Sequence, residues 1–341
     1  MLRFLWARCF LFIVSDTIVV NKICLLIGEK KKAMFNLTED GQWKVFRQLA
    51  CSTNFGVSYQ LIGLSVLNTF LTITAIVGNI LILVALYKEA SLHPPSKLLL
   101  RSLALSDLGV GVISQPLYII YITTHVNESW KTCRYAFALG LITGYLLCSV
   151  SLFTLTAISV DRLLALVLKL RYRQVVTLKR TYAVVLSFWG VSTIATAMYF
   201  RNHLITLWCG CIFISICLST SVLSYAKIFV TLRLHQTQVQ DLNPRQHASQ
   251  PTPLCIARYR KAVCSALWLQ STMVFCYLPH GVVTALWASD ETTTHLFLAR
   301  QFTATLVYFN SSLNPILYCW KIVEVRQAVK DTIGQFCCSW S

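Results

Sequence analysis

The most evident shortage in this sequence is of charge. Only 13% of its 341 residues are charged, and acidic residues are the scarcer kind, with 13 Asp and Glu against 30 Lys and Arg. Soluble domains carry about 25% charged residues, so the composition excludes an ordinary soluble protein. Apolar residues make up 56% of the chain, which is typical of a membrane protein.

Metal-ligand spacings and internal repeats are also missing. The 14 cysteines include no CxxC pair, and the seven histidines are scattered, so no zinc site is predicted. This argues against a metal-dependent seven-helix membrane enzyme, which we keep as one alternative. The other alternative, a transporter, would show inverted repeats or broken, Gly-rich helices. No basic block with interleaved aromatic residues indicates nucleic-acid binding.

Long apolar runs are what the sequence has in abundance. Seven runs can each cross a hydrocarbon layer of about 30 Å as a helix, and in lipid every backbone amide must be paired within its segment. An amphipathic helix follows from Lys321 to Phe336, with apolar residues three or four positions apart. We therefore predict an all-α membrane protein, a seven-transmembrane helix bundle with a C-terminal amphipathic helix that lies on the membrane. The predicted spans are residues 57–87, 98–123, 133–167, 181–200, 204–233, 262–288 and 296–320.

Basic residues are distributed unevenly between the two ends of these spans. The connections at one end, together with the C-terminal tail, hold 18 Lys and Arg, whereas the opposite connections from Thr124 onward hold Lys131, Arg134, Arg201 and Arg300. Cytoplasmic connections are the ones enriched in Lys and Arg. The rule predicts a cytoplasmic C-terminus and an extracellular N-terminus.

The chain divides into three predicted regions: an extracellular N-terminal tail at 1–56, the transmembrane domain at 57–320, and the amphipathic helix with a short tail at 321–341. Residues 1–33 fit a signal peptide, an uncleaved anchor, or an upstream extension before a start at Met34. Asn36 and Asn127 begin N-glycosylation triplets. Cys337 and Cys338, behind the amphipathic helix, are candidates for palmitoylation.

Four short motifs lie on four of the spans. They are Gly78-Asn79 in the first span, residues 103–107 (LALSD) in the second, Asp161-Arg162 at the inner end of the third, and residues 314–318 (NPILY) in the last. In residues, order and membrane depth they resemble the rhodopsin-like (class A) G-protein-coupled receptors, over residues 57–338. The resemblance implies a plasma-membrane receptor for an extracellular ligand, with a heterotrimeric G protein as partner, no enzymatic activity and no required cofactor.

The resemblance also implies an activation switch. Arg162 is expected to pair with Asp161 at rest and to move toward Tyr225 and Tyr318 on activation. The usual acidic partner on the sixth span is replaced by Tyr259, so basal signalling is expected.

Several other residues of this switch sit within the spans. Pro279, beside Tyr277, and Pro315 are expected to kink the sixth and seventh helices. Asn79 and Trp189 match interior positions of the family, and core packing explains Trp189 equally well.

Asp107 is the only acidic residue deep inside any span, where an unpaired carboxylate is unfavourable. In the resembled family this position binds a sodium ion, and the matching oxygen-bearing residues here are Ser151, Asn310 and Asn314. A hard cation suits such oxygens. The alternative is a protonated, hydrogen-bonded carboxyl group.

The ligand positions of the family exclude two ligand classes. Gly144 stands where amine receptors have Asp, and Tyr308 stands where opsins have the retinal Lys, so a monoamine and retinal are both disfavoured. His280 could sense a polar ligand group or be a packed side chain. The predicted outer pocket is formed by Tyr118, Gly144, Tyr145, Cys148, His280, Thr284 and Tyr308.

The connection between the fourth and fifth spans is very short. The family ties this connection to the third helix by a disulfide, which here implies Cys133 with Cys209 or Cys211. Cys51 is a fourth cysteine that could face the oxidising side. The short connection is similar to that of melanocortin and cannabinoid-type receptors, and the overall pattern is also similar to adenosine receptors.

Overall fold

The computed structural model is helical throughout the part of the chain that it describes. That part consists of residue 51 and residues 57–88, 92–168, 171–198, 203–241, 271–287, 294–321 and 323–338. No residue within these ranges lies in a β-strand. The all-α class is therefore confirmed for the described residues.

Eight main helices lie within those ranges, and one of them changes type along its length. The second helix contains a π-helical segment at Val110–Ser114, between α-helical segments at Pro94–Gly109 and Gln115–Val126. Pro116 lies two residues after this segment, and the wider π turn accommodates its ring and its missing amide hydrogen. We label the helices α1 (Ser58–Lys88), α2 (Pro94–Val126), α3 (Trp130–Leu168), α4 (Leu178–Ala197), α5 (His203–Asp241), α6 (271–287), α7 (Thr294–Lys321) and α8 (Val323–Cys338).

Four of the described helical segments are long and apolar enough to cross a membrane. Large apolar side chains are exposed on their outer faces, including Phe70, Leu139 and Leu223, and hydrocarbon suits such faces better than water. The other predicted spans coincide with α4, α6 and α7, whose crossing of the membrane stays a prediction. The four segments are Ser58–Lys88, Pro94–Val126, Trp130–Ala165 and Cys209–Ile228.

Helix α3 lies at the centre of the described bundle. It contacts α2, α4 and α5, while α1 packs against α2 and α7. The buried apolar residues form two clusters. One, around Leu103 and Leu155, is nearer the ends of α1 and α3 that we predict to be cytoplasmic, and the other, around Tyr118 and Phe137, is nearer the opposite ends. This packing separates an inner from an outer layer of candidate sites.

The C-terminal helix α8 begins at Val323, directly after α7 ends at Lys321. It contacts α1, and Val325, Ala328 and Val329 on one of its faces join the inner apolar cluster. The predicted apolar spacing therefore serves packing against the bundle over little more than one turn, from Val325 to Val329, whereas Ile333 further along is exposed. That the helix also lies on the membrane stays a prediction.

The disulfide differs from the prediction. Cys133 bonds to Cys51, with a Cα–Cα distance of 6.1 Å, so neither Cys209 nor Cys211 is its partner. Cys133 lies in the first turn of α3, next to Cys51 in the outer cluster. Cys211 instead faces α6, where its Sγ lies 3.7 Å from the Gly281 carbonyl. The expected pairing was therefore wrong, because a neighbouring element holds the alternative partner.

Candidate functional site

Asp161 and Arg162 lie at the inner end of α3. The Arg162 Nη2 atom is 3.4 Å from Asp161 Oδ2, and the two side chains are 40% and 4% exposed respectively. The guanidinium has no other ion-pair partner among the described residues. The Asp161 carboxylate is buried whereas the Arg162 guanidinium is partly exposed, so a positive charge is accessible at the inner end of α3.

Two hydroxyl groups hold the Asp161 carboxylate from other elements. Ser96, near the start of α2, donates to Oδ2 at 2.9 Å, and Tyr172, in the single turn at Tyr172–Val175, donates to Oδ1 at 2.6 Å. Burial, followed by the bond to the Asp161 carboxylate, raises the pKa of Tyr172 to about 12, so this phenol stays a donor at neutral pH. Sequence reasoning missed both residues.

The expected partners of Arg162 in its active position are only partly described. Tyr225 lies on α5, but its side chain falls outside the described part of the structure. Tyr318 on α7 is 1% exposed, and its hydroxyl has no hydrogen-bond partner among the described residues. A buried hydroxyl without a partner is unfavourable by about 1–3 kcal/mol, so Tyr318 can accept or donate a bond once the inner end rearranges.

A second polar cluster surrounds Asp107, midway along α2. The carboxylate is fully buried and accepts three hydrogen bonds. Ser151 on α3 and Ser311 on α7 donate to Oδ1 at 2.9 and 2.8 Å, and Asn314 on α7 donates to Oδ2 at 2.7 Å. These bonds join three helices at one acidic group.

Ser311, and not the predicted Asn310, forms the hydrogen bond with Asp107. Asn310 is 1% exposed, and neither its oxygen nor its nitrogen has a hydrogen-bond partner among the described residues. Asn79 on α1 reaches the same region, because its Nδ2 donates to the Ser311 carbonyl at 3.1 Å. The Asp107 carboxylate and the two serine hydroxyls supply oxygen atoms of the kind that a hard monovalent cation prefers.

The first and last helices approach very closely beside this cluster. A Cβ atom added to Gly78 on α1 would lie 2.9 Å from Pro315 Cβ and 3.0 Å from its Cγ. Pro315 lies inside α7, where a proline interrupts the backbone hydrogen bonds. Glycine at this position thus lets α1 pack against the interrupted turn of α7.

A cavity of about 130 Å³ lies in the outer half of the bundle. Six of the seven residues predicted for the pocket line it, and Thr284 does not, although it is buried. Tyr277 lies at the cavity as well, with its hydroxyl donating to the Cys148 carbonyl at 3.3 Å. The six lining residues are Tyr118, Gly144, Tyr145, Cys148, His280 and Tyr308.

The polar groups of this cavity come mainly from α2, α6 and α7. Tyr118 donates to the Gln301 carbonyl at 2.9 Å, and Gln301 Nε2 lies 3.5 Å from the Tyr121 hydroxyl. His280 Nδ1 lies 3.3 Å from the Thr303 hydroxyl. Arg300 also lines the cavity. Sequence reasoning missed Gln301, and it counted Arg300 as a loop charge.

A comparison with protein families bears on these three sites. The model of the 7 transmembrane receptor (rhodopsin family) matches residues 78–204. This match supports a rhodopsin-like G-protein-coupled receptor. It spans the Gly78-Asn79, Asp107 and Asp161-Arg162 motifs, and the apolar helices indicate a receptor that crosses the membrane several times.

The structure describes only some of the other residues for which the sequence predicts a role. Trp189 is half-buried and packs against both apolar clusters, which suits a packing role. Asn127 is exposed in the turn between α2 and α3, and its glycosylation stays a prediction. Asn36, the side chains of Cys337 and Cys338, and the Tyr259 position lie outside the described part of the receptor.

The alternative of a metal-dependent enzyme gains no support. Within the described ranges, no group of three or more His, Cys, Asp or Glu side chains could hold a metal ion. The matched family is one of receptors. The family match, and not this absence, therefore favours a receptor over an enzyme.

Proposed function

We propose that this chain is a plasma-membrane receptor that converts binding of an extracellular ligand into activation of a heterotrimeric G protein. Its N-terminus would be outside and its C-terminus in the cytoplasm. The proposal extends the family match in three respects: the coupling step, the orientation and the presence of an activating ligand. Neither retinal nor a monoamine is proposed as that ligand, because Tyr308 and Gly144 replace the residues that those ligands need.

The observation that carries the proposal is the arrangement around Arg162. Its guanidinium is 40% exposed at the inner end of α3, and its partner Asp161 is buried and held by Ser96 and Tyr172. In this resting state the two hydroxyls stabilise the carboxylate that restrains the arginine. Loss of that restraint would free a planar group with five donors to bind the carbonyl groups of a G-protein helix.

We further propose that the Asp107 cluster holds a sodium ion that favours the resting state. Asp107, Ser151, Ser311 and Asn310 would supply the oxygen ligands, and the ion would neutralise the buried carboxylate. Asn314 would orient that carboxylate through its hydrogen bond of 2.7 Å. A ligand that binds only one of two states shifts their equilibrium toward that state.

Guanine-nucleotide exchange in membranes that contain the receptor tests the coupling step. We expect exchange above that of membranes without the receptor, and Arg162→Ala should abolish the difference. Arg180→Ala is the matched control, since Arg180 is an exposed guanidinium near the same end that donates to the Val175 carbonyl. Retained exchange in Arg162→Ala at equal surface expression would contradict the proposed role of Arg162.

A further inference from the structure

Arg300 is a buried cation in the outer cavity. It lies in the second turn of α7 and is only 9% exposed. Arginine is seldom buried unless it is paired. A buried position is therefore unusual for an arginine that no described carboxylate neutralises.

No carboxylate of the described residues forms an ion pair with this guanidinium, whereas Arg162 is paired with Asp161. The contacts of Arg300 are with two aromatic rings, at 5.9 Å from its Cζ to the centre of Phe137 and 5.4 Å to the centre of Trp287. Contacts of this kind orient the guanidinium while leaving its five donors available.

The cavity wall next to Arg300 combines donors with aromatic surface. Gln301, the adjacent residue, is 3% exposed and lies in hydrogen-bond range of Tyr118. Much of the remaining wall is apolar or aromatic, including Phe213 and Tyr308. A ligand here would meet a positive charge at one end and ring faces along its body.

We propose that the outer cavity binds a small organic monocarboxylate, with the carboxylate on the Arg300 guanidinium and an apolar or aromatic body among the surrounding rings. A guanidinium pairs with a carboxylate through two parallel hydrogen bonds. Among the described residues that line the cavity, Arg300 is the only Lys or Arg, so one negative charge balances this wall of the site. A phosphate monoester, with a charge of about −1.5 to −2 at neutral pH, would leave excess negative charge in a poorly hydrated cavity.

This inference names the ligand class of the receptor proposed above and so rests on that proposal. Ligand binding to the purified full-length receptor is measured without a G protein, so that the ligand class and the coupling to G protein are tested separately. If carboxylates bind but exchange does not respond to Arg162→Ala, the coupling proposal fails alone. If exchange depends on Arg162 but no carboxylate binds, the ligand class is wrong.

The probes are two pairs, each an acid and its amide, that share one body and differ in charge: 3-phenylpropanoate with 3-phenylpropanamide, and octanoate with octanamide. Phenyl phosphate, which carries a higher negative charge, is the fifth probe and tests for a phosphate site. Their affinities are measured from the rise in melting temperature with concentration. We expect at least one acid to bind about 10- to 100-fold more tightly than its amide, the range for a hydrogen bond to a charged group. Arg300→Gln should remove that difference, whereas Arg300→Lys should retain part of it.

Arg134→Gln is the matched control, because Arg134 is an exposed arginine near the same end of the bundle, bonded to the Trp130 carbonyl. It should bind the acids as the unchanged receptor does. Equal affinity for acid and amide in both pairs, unchanged acid affinity in Arg300→Gln, or tightest binding by phenyl phosphate would each overturn the proposal.

The ligand-free receptor supplies a second readout that does not depend on the choice of probe. An unpaired buried cation is unfavourable, so Arg300→Met should raise the melting temperature of the ligand-free receptor. A lower melting temperature would mean that Arg300 stabilises the fold by contacts within the chain, which would contradict a site kept open for an anion.

Discussion

At the scale of single residues, the most informative group is the Asp161 carboxylate, because three side chains from different parts of the chain meet there. Arg162 lies beside it, Ser96 comes from α2, and Tyr172 comes from the turn after α3. A hydrogen bond to a charged group contributes about 1.5–3 kcal/mol. Removing one donor should therefore shift the balance between resting and active states.

Tyr172→Phe is predicted to raise agonist-free nucleotide exchange several-fold, because it deletes the bond of 2.6 Å to Asp161 while keeping the ring. A free-energy change of about 1.4 kcal/mol corresponds to a tenfold change in a population ratio. Tyr182→Phe on α4, which alters an exposed tyrosine, should change nothing. Unaltered exchange in Tyr172→Phe would show that this bond does not restrain Arg162.

Replacing sodium by potassium at constant ionic strength should lower the melting temperature of the detergent-solubilised receptor, because the proposed ion stabilises the Asp107 cluster. The difference between the two salts should disappear in Asp107→Asn. Asp331→Asn is the control, since Asp331 is an exposed acid on α8 bonded to Gln327. A sodium effect that persists in Asp107→Asn would exclude this cluster as its origin.

Sequence reasoning found the centres of these residue clusters but not all of their members. Motif alignment identified Asp107 and Asn314, yet it chose Asn310 where the structure has Ser311. Neighbouring positions on a helix differ by about 100° in direction, and pattern alone does not resolve that rotation. Tyr172 was missed because its contact with Asp161 depends on how the chain turns after α3.

At the scale of helices, the contact of α1 with α7 depends on the absence of a side chain at Gly78. Gly78→Ala should lower the melting temperature, with a loss of about 1–3 kcal/mol in the free energy of unfolding, because its Cβ would overlap Pro315. Gly63→Ala on the same helix is the matched control. Nothing lies within 4 Å of the Cβ position there, so stability should be unchanged or slightly higher. Equal effects of the two changes would contradict this close packing.

The Cys51–Cys133 disulfide connects the segment before α1 to the first turn of α3. It closes a loop of 82 residues, for which chain entropy predicts about 4.5 kcal/mol of stabilisation. Cys51→Ser, Cys133→Ser and the double variant should lower the melting temperature by the same amount, because each removes one bond. Cys209→Ser should have little effect. Additive losses from the two single variants would contradict the pairing.

The positions of the helices were predicted from the sequence more completely than the contacts of single residues. Apolar runs predicted seven spans, and the described parts of all seven are helical, with ends that differ by several residues in places. The π-helical segment at Val110–Ser114 was not predicted, because local composition does not distinguish a wide turn from a regular one. Arg300 was counted with the basic residues of the outer connections, although the predicted span at 296–320 contains it, and its place in the cavity was not predicted.

At the scale of the whole molecule, the outer cavity and the inner apolar cluster share one side chain. Tyr277 lines the cavity and packs in the inner apolar cluster. Asp107 links α2 to α3 and α7 through its hydrogen bonds, and Asp161 lies at the inner end of α3. A ligand that changes the packing of α6 and α7 in the outer layer would therefore bias the arrangement at the inner end.

The role of Arg162 is tested most directly by agonist-free nucleotide exchange. Four forms of the receptor are compared at equal surface expression: the unchanged receptor, Tyr172→Phe, Arg162→Ala and the double variant. We predict a higher rate for Tyr172→Phe and no receptor-dependent exchange for Arg162→Ala. The double variant should behave as Arg162→Ala, because the tyrosine acts only by restraining that guanidinium. A double variant as active as Tyr172→Phe would contradict the central claim that Arg162 carries the signal.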